Sequence, residues 1–240
     1  METNTQVQEQ KPSMLGFLTS PKEQLERLKV KPTFWLPLII YVVILSALSI
    51  AQSYYTLYEN PDVILQTLPA EQQESVSQSQ KLMNESMKNM QLIGSAIVSP
   101  IAFAVVPLFV AFFYWLMQKI FRGKATFKQM FALQAHLLLF AVLSTLIGTV
   151  LLFAADVYGE GLASLAVFVS EPGMLKNLLS LFDVFNLWGL FITSLGLIIL
   201  ANLSKGKALT IVGISFTLQI LFIIAVTKLA DMVSSLTGGM

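Results

Sequence analysis

The sequence has no cysteine, one histidine and few charged residues. The lack of cysteine excludes disulfides, thiolate nucleophiles and cysteine-ligated metal sites. The single histidine, His136, leaves few catalytic constellations, and no Ser-His-Asp set, HExxH motif or Walker loop is present. The net charge is only +1, and no basic patch with interleaved aromatic residues indicates nucleic-acid binding. We therefore expect no enzyme, no cofactor, no metal site and no nucleic-acid partner.

Charged residues make up 12% of the 240 residues, whereas 55% are hydrophobic. Soluble domains carry a charged share of about 25%, so the lipid bilayer is the expected solvent. A hydrocarbon core needs about 20 helical residues, and five windows of at least 20 residues hold no Asp, Glu, Lys or Arg. They are Pro32–Tyr58, Asn89–Gln118, Gln129–Ala155, Val184–Ser204 and Ala208–Thr227. Their residues do not alternate with a period of two, which favours helices over a barrel.

The windows predict an all-α fold, a polytopic bundle of five transmembrane helices. The expected spans are about 34–55, 93–117, 131–154, 184–203 and 209–227, within a membrane domain of residues 34–240. Residues 1–13 are polar and are expected to form a disordered tail. Residues 14–33 predict a short helix on the cytoplasmic membrane surface, in which Ser20 is the N-cap and Glu23 completes a capping box. The alternative for this segment is a docking helix for a partner protein. The outer loops are expected to contain further helices.

The distribution of lysine and arginine predicts the orientation. If the N-terminus is cytoplasmic, eleven of the fifteen basic residues lie inside and four lie outside. Cytoplasmic loops carry such an excess, so we expect the N-terminus inside and the C-terminus outside. Lys205, Gly206 and Lys207 would then form a tight cytoplasmic hairpin, with Gly206 in the left-handed conformation that ends a helix.

Polar side chains inside or beside the spans are the first candidates for a functional site. An intramembrane histidine can relay protons, but His136 has only Gln134 nearby and no carboxylate at similar depth. We interpret His136 as an interhelical hydrogen-bonding residue, and Gln219 in the fifth span likewise. Asp183 and Asn186 mark the outer end of the fourth span. Together with Asp156 or Glu160 they could hold a cation, although acids at an outer edge are more often solvated.

Small residues form a second set of candidates, the helix-packing positions. They recur at i, i+4 and i+7 on the fourth span (Gly189, Thr193, Gly196) and on the third (Ala141, Thr145, Gly148). Such stripes let helix backbones approach closely in lipid. We predict that these two helices pack against each other within the chain. The alternative is that the stripes join two copies of the chain into a homo-oligomer.

With these elements placed, three stretches resemble the bacterial branch of the Yip (Ypt-interacting protein) domain family. They are "TSPKEQLERLKVKPTFWLPL", "RGKATFKQMFALQAHLLL" and "FDVFNLWGLFITSLGLIILANLSKGKAL". The last includes Asp183, Phe185, Trp188, Gly196 and the basic hairpin before Ala208. The resemblance covers roughly Met14 to Thr227 and implies a five-helix membrane protein whose N-terminus is cytoplasmic.

The resemblance also implies partners. Eukaryotic relatives contact Rab GTPases through an Asp-Leu-Tyr-Gly-Pro motif, which is missing from residues 1–33 and argues against such a partner here. Some bacterial members accompany ABC exporters and protect the membrane against toxic peptides. The resemblance therefore implies a non-enzymatic accessory protein of the bacterial plasma membrane. The alternative is a small transporter or channel that uses His136 and a second helix kinked by Pro100 and Pro107.

Overall fold

The computed structural model describes residues 10–159 and 163–237, and within these ranges the chain forms helices and loops without any β-strand. Four helices are short: α1 (Gly16–Thr19), α2 (Pro21–Val30), α4 (Ala70–Leu82) and α7 (Met174–Ser180). Five are longer: α3 (Trp35–Tyr54), α5 (Glu85–Ile120), α6 (Phe127–Ala155), α8 (Val184–Ile199) and α9 (Lys205–Thr237). A π-helical turn (Tyr55–Glu59) extends α3, and two short 3₁₀ helices cover Pro61–Thr67 and Leu165–Phe168.

Four of the long helices are long and apolar enough to cross a membrane. They are the continuous segment Trp35–Glu59, then α5, α6 and the part of α9 from Lys205 to Ala230. Helix α5 continues through Pro100 and Pro107 and begins at Glu85, before the predicted start of the second span. These four helices confirm the all-helical membrane fold class that the uncharged windows predict.

The fourth predicted span differs from the other four. Helix α8 has 16 residues, which corresponds to about 24 Å at 1.5 Å per residue and is shorter than a hydrocarbon core of about 30 Å. Helix α7 precedes it across a bend of 49°, and the two together would make a fifth, broken span. The count is therefore four single-helix candidates plus one bent pair among the described residues.

The chain divides into two compact units, each assembled from three separate segments. The first unit consists of Met1–Leu45, Pro100–Val142 and Trp188–Phe216. Its fully buried apolar side chains come from all three segments: Phe17, Leu25, Leu28, Leu133, Ile192, Leu197 and Ile211. The second unit consists of Ser46–Ser99, Leu143–Leu187 and Thr217–Met240, and its buried apolar side chains include Leu57, Val63, Leu152 and Ala166.

The N-terminal segment of the first unit packs three of its apolar side chains against protein, while Leu15 and Val30 stay exposed. Phe17, Leu25 and Leu28 are completely buried, so these residues are not free to face lipid. The predicted capping box is wrong: within the described residues the Ser20 side chain caps no backbone N–H of α2. Its hydroxyl instead donates to the carbonyl of Gly16, which leaves Glu23 to pair with Arg27 one turn later.

Three of the long helices are followed by a residue in the left-handed backbone conformation. Gly206 does not adopt this conformation. Among the described residues, the non-glycine positions with positive φ are Arg122, Asp156 and Asn202, which follow α5, α6 and α8. Asn tolerates this conformation better than most residues, so the turn before α9 reverses at Asn202. Gly206 lies inside the first turn of α9, and its predicted left-handed conformation is wrong.

Candidate functional site: packed small and polar residues of the helices

Gly196 lies where three helices of the first unit meet. A Cβ atom placed on Gly196 would lie 2.5 Å from Leu133 Cδ2 of α6 and 3.6 Å from Leu25 Cδ2 of α2. Real Cβ atoms essentially never approach another atom as closely as the first distance. The N-terminal helix, α6 and α8 therefore pack closely at a position where only glycine fits without a shift of Leu133.

The other two small residues of α8 follow the same side of the helix. A Cβ atom on Gly189 would lie 3.9 Å from Phe140 of α6, an ordinary contact distance. Thr193 is buried, and its hydroxyl donates to the carbonyl of Gly189 at 2.9 Å, so its polar atom is satisfied within α8. Gly189 and Gly196 of α8 thus meet large side chains of α6.

The small residues of α6 have other surroundings. Ala141 is exposed, and Thr145 is half-buried with its carbonyl accepting from the Thr149 hydroxyl. A Cβ atom on Gly148 would come within 3.9 Å of the Gln52 amide nitrogen of α3, and the same amide donates to Thr149. The third and fourth spans do pack against each other at Gly196 and Gly189, as predicted, and the neighbours of these two glycines on α6 are the large side chains of Leu133 and Phe140.

His136 is buried in the first unit, and its described hydrogen bond lies within its own helix. The Nδ1 atom lies 2.8 Å from the carbonyl oxygen of Ala132, one turn earlier in α6. The imidazole also packs against the ring of Phe17, with ring centroids 4.9 Å apart. The sequence predicted a hydrogen bond from His136 to another helix. Its described hydrogen bond is within α6, and its contact with the N-terminal segment is the packing of the two rings.

Gln134 and Gln118 are buried amides of the first unit. Gln118 is fully buried, and its Nε2 atom donates to the carbonyl of Ala125, which closes the turn between α5 and α6. The Nε2 atom of Gln134 has no hydrogen-bond partner within the described part of the chain. Sequence reasoning singled out Gln134 and missed Gln118, because Gln118 lies next to Lys119 at the end of an uncharged window.

Asp183 caps the N-terminus of α8. Its Oδ1 atom accepts from the backbone N–H groups of Phe185 at 2.8 Å and Asn186 at 3.1 Å. A carboxylate at this position satisfies free N–H groups and interacts favourably with the helix dipole. Asp183 is only 6% exposed, so the prediction that this acid is solvated is wrong. Its Oδ2 atom has no partner among residues 10–159 and 163–237.

Asn186 and Gln219 lie against each other in the second unit. The Nδ2 atom of Asn186 donates to the carbonyl of Leu181 at 2.8 Å and lies 3.5 Å from Oε1 of Gln219 in α9. The first bond holds the bend between α7 and α8, and the second contact joins α8 to α9. Two amides that the sequence placed on different spans are thus brought together.

No described hydrogen bond joins Asp156 to Asp183. The Asp156 side chain instead forms hydrogen bonds with residues at the end of the first span and in the loop that follows it. Its Oδ1 atom accepts from the Tyr55 hydroxyl at 2.6 Å and from the Asn60 amide at 2.8 Å. These donors, Tyr55 first, lower the pKa of Asp156 below its ordinary value of 3.8. Glu160 lies outside the described residues, and within them no group of three His, Cys, Asp or Glu side chains could hold a metal ion.

A groove of about 670 Å³, which we call the Tyr54 groove, opens on the second unit. It is lined by Ala47, Ile50, Ala51, Tyr54, Tyr55, Glu59, Leu92 and Phe153. Sequence reasoning did not find it, because its walls come from three helices and only Glu59 among them is charged. None of the predicted site residues belongs to this lining.

The family model for the Yip1 domain matches residues 15–227 of the chain, from the start of the N-terminal segment to α9. The chain belongs to the Yip1 domain family. The matched range includes Gly196, His136, Asp183 and the whole Tyr54 groove. The chain is 30% identical over 210 residues to "Membrane protein YknW" of Bacillus subtilis (strain 168). The alignment covers 85% of each chain. No solved structure matches the chain significantly.

Membership in the Yip1 family agrees with the helices of the structure, because four of them are suited to a membrane and the bacterial relative is named as a membrane protein. The protein is therefore a bacterial multi-pass membrane protein in contact with lipid. The packed site around Gly196 lies within the range that the family model matches.

Proposed function

We propose that the protein is a non-enzymatic accessory protein of the bacterial plasma membrane that binds an ABC exporter through its membrane helices and contributes to protection against toxic peptides. The observation that carries the proposal is that polar side chains of the spans bond inside the chain. Examples are Gln52 with Thr149 at 2.8 Å and Tyr114 with Ser215 at 2.7 Å. Polar groups used in this way stabilise helix contacts.

The alternative function, a small transporter or channel, needs polar groups that face a path for the substrate. Nδ1 of His136 is engaged by the Ala132 carbonyl, and its ring is covered by Phe17. The lining of the Tyr54 groove is mostly apolar and includes neither His136 nor the two prolines of α5. These observations favour the accessory function.

The proposed partner surface is the apolar exterior of the long helices. Phe109 of α5 is 71% exposed and Phe222 of α9 is 68% exposed. In a bilayer such side chains contact either lipid or the helices of a second membrane protein. Large aromatic side chains at these positions can fill gaps between the helices of two proteins, since association in lipid depends on close packing.

The proposed orientation places the N-terminus, the turn at Lys124 and the start of α9 at Gly206 in the cytoplasm. The basic residues carry this argument, because eleven of fifteen then lie on the cytoplasmic side. Oriented in this way, the turn between α5 and α6 and the turn between α8 and α9 share one side. A hydrogen bond from the Lys124 amide to the Ala201 carbonyl, 2.9 Å long, joins the two turns.

Site-specific photo-crosslinking in native membranes tests the proposal. A photoreactive phenylalanine analogue replaces Phe109 in one variant and Phe222 in another. A third variant carries it at Phe17, which is fully buried and serves as the matched control. We expect an adduct with a transmembrane subunit of an ABC exporter from an exposed position and none from Phe17. Adducts with lipid alone at both exposed positions would contradict the proposal.

A further inference from the structure

The Tyr54 groove has the length and the apolar lining that suit one lipid chain. Its residues on the first span run from Ala47 to Glu59, a distance of about 18 Å at 1.5 Å per residue. One leaflet of the hydrocarbon core is about 15 Å thick, half of about 30 Å. Ala47 and Ala51 are one helical turn apart, and their small side chains leave the space that the groove occupies.

The walls of the groove are held by contacts within the second unit. The ring of Tyr55 packs on Phe153 with centroids 5.1 Å apart, and the Tyr55 hydroxyl donates to Asp156. The π-helical turn Tyr55–Glu59 lies at this end of the groove, and such turns are frequent at functional sites. A groove whose walls are fixed before binding loses less entropy when it takes a ligand.

Residues with charges of both signs lie in the groove lining or one helical turn from it, since Lys88 precedes the lining residue Leu92 by four positions on α5. Glu59 is part of the lining and supplies a carboxylate. The Tyr54 ring stacks on Tyr58 with centroids 5.1 Å apart, and the Lys88 ammonium lies 5.6 Å from the centre of the Tyr58 ring. Tyrosines are enriched at the level of lipid headgroups. The groove and the residues one turn from its lining therefore supply one acid, one base and two aromatic rings, which suit a zwitterionic headgroup.

We propose that the Tyr54 groove binds a phospholipid with a zwitterionic headgroup, with one acyl chain between Ala47, Ala51 and Phe153. The headgroup carries an ammonium, which pairs with Glu59, and a phosphate, which pairs with Lys88. Phosphatidylethanolamine has this chemistry. Phosphatidylglycerol has the same phosphate and acyl chains but no ammonium, so it lacks the group that Glu59 recognises. This site is independent of the proposed contact with an exporter.

Native mass spectrometry of the full chain, purified in detergent and mixed with equal amounts of phosphatidylethanolamine and phosphatidylglycerol, tests the site. The wild-type chain should retain phosphatidylethanolamine preferentially. Ala47 is exposed and lines the groove, so the larger side chain of Ala47→Phe fills the groove. This variant should lower the amount of bound phosphatidylethanolamine about tenfold. Ala51→Phe is a second filling variant. Ala225→Phe places the same side chain at an exposed position of α9 and should leave the adduct unchanged.

The headgroup contacts have separate variants. Glu59→Gln and Lys88→Gln keep the size of each side chain and remove its charge, and each should abolish the preference for phosphatidylethanolamine. Lys81→Gln, an exposed lysine of α4, is the matched control and should retain the preference. Equal retention of both lipids by the wild-type chain would overturn the proposal, and so would an undiminished phosphatidylethanolamine adduct in both filling variants.

Discussion

The ring of Phe17 packs against the imidazole of His136 with centroids 4.9 Å apart. Phe17 belongs to the N-terminal segment, and His136 lies inside a helix that is suited to span the membrane. The contact shows that the N-terminal segment is part of the packed core of the first unit. The same segment contributes Leu25 to the close contact at Gly196, so two of its side chains reach two candidate site residues.

Gly196→Leu should destabilise the protein by about 1–3 kcal/mol, because overpacking a tight core forces shifts of this cost. The new side chain would collide with Leu133, whose Cδ2 atom already lies 2.5 Å from the position of a Cβ atom. The melting temperature of the purified protein measures the effect. Ile198→Leu, a half-buried and volume-conserving control on the same helix, should cost less. Equal melting temperatures for the two variants would show that Gly196 is not tightly packed.

His136→Leu should lower the stability by about 0.5–1 kcal/mol, because it removes one hydrogen bond inside the membrane. The lost bond is the one to the Ala132 carbonyl. His136→Gln retains a donor of similar reach and should stay closer to the wild type. Thermal unfolding of the three proteins in the same detergent measures this order. If His136→Gln is less stable than His136→Leu, packing against Phe17 rather than the hydrogen bond stabilises this position.

Lowering the pH should destabilise the loop after α3, because it protonates the Asp156 carboxylate that accepts hydrogen bonds from Tyr55 and Asn60. A carboxylate whose pKa is lower in the folded chain than in the unfolded chain adds stability at pH values above its ordinary pKa of 3.8. This contribution is lost as the pH falls through the lowered pKa of the folded state. Asp156→Asn does not titrate. The wild type should therefore melt above this variant at about pH 7, and the difference should shrink as the pH falls below 3.8.

Single cysteines can test the orientation without background, because the chain has no cysteine of its own. Lys124→Cys and Gly206→Cys should react only with membrane-permeant reagents, and Ser77→Cys should be labelled from outside the cell. Lys124 and Gly206 are exposed in the structure, and Ser77 is half-buried. Labelling of Gly206→Cys by an impermeant reagent would contradict the proposed orientation.

Hydropathy predicts the helices because membrane spans must be long, apolar and internally hydrogen-bonded. The uncharged windows therefore coincide with α3, α5, α6 and α9. The same argument does not give the length of α8. That helix begins where the Asp183 carboxylate caps it and ends before Asn202, and both limits depend on local hydrogen bonds and backbone conformation.

The neighbours of the candidate residues could be predicted only in part. A small residue indicates that something packs closely, and Gly196 shows such packing, but the sequence does not identify Leu133 and Leu25 as the contacts. Asp183 was misjudged because an acid at the edge of an uncharged window usually faces water, whereas here two backbone N–H groups compensate its burial. These outcomes depend on tertiary contacts that a single sequence does not contain.

The most direct test of the accessory function is the activity of the exporter that crosslinking identifies, measured in native membranes. Export of its substrate is compared in cells without this protein and in cells that again produce it. Export should fall without the protein and recover when either the wild type or His136→Gln is produced, since a structural histidine can be replaced by a residue that keeps its hydrogen bond. Full export in the absence of the protein would contradict the account, as would failure of a stably inserted His136→Gln variant to restore it.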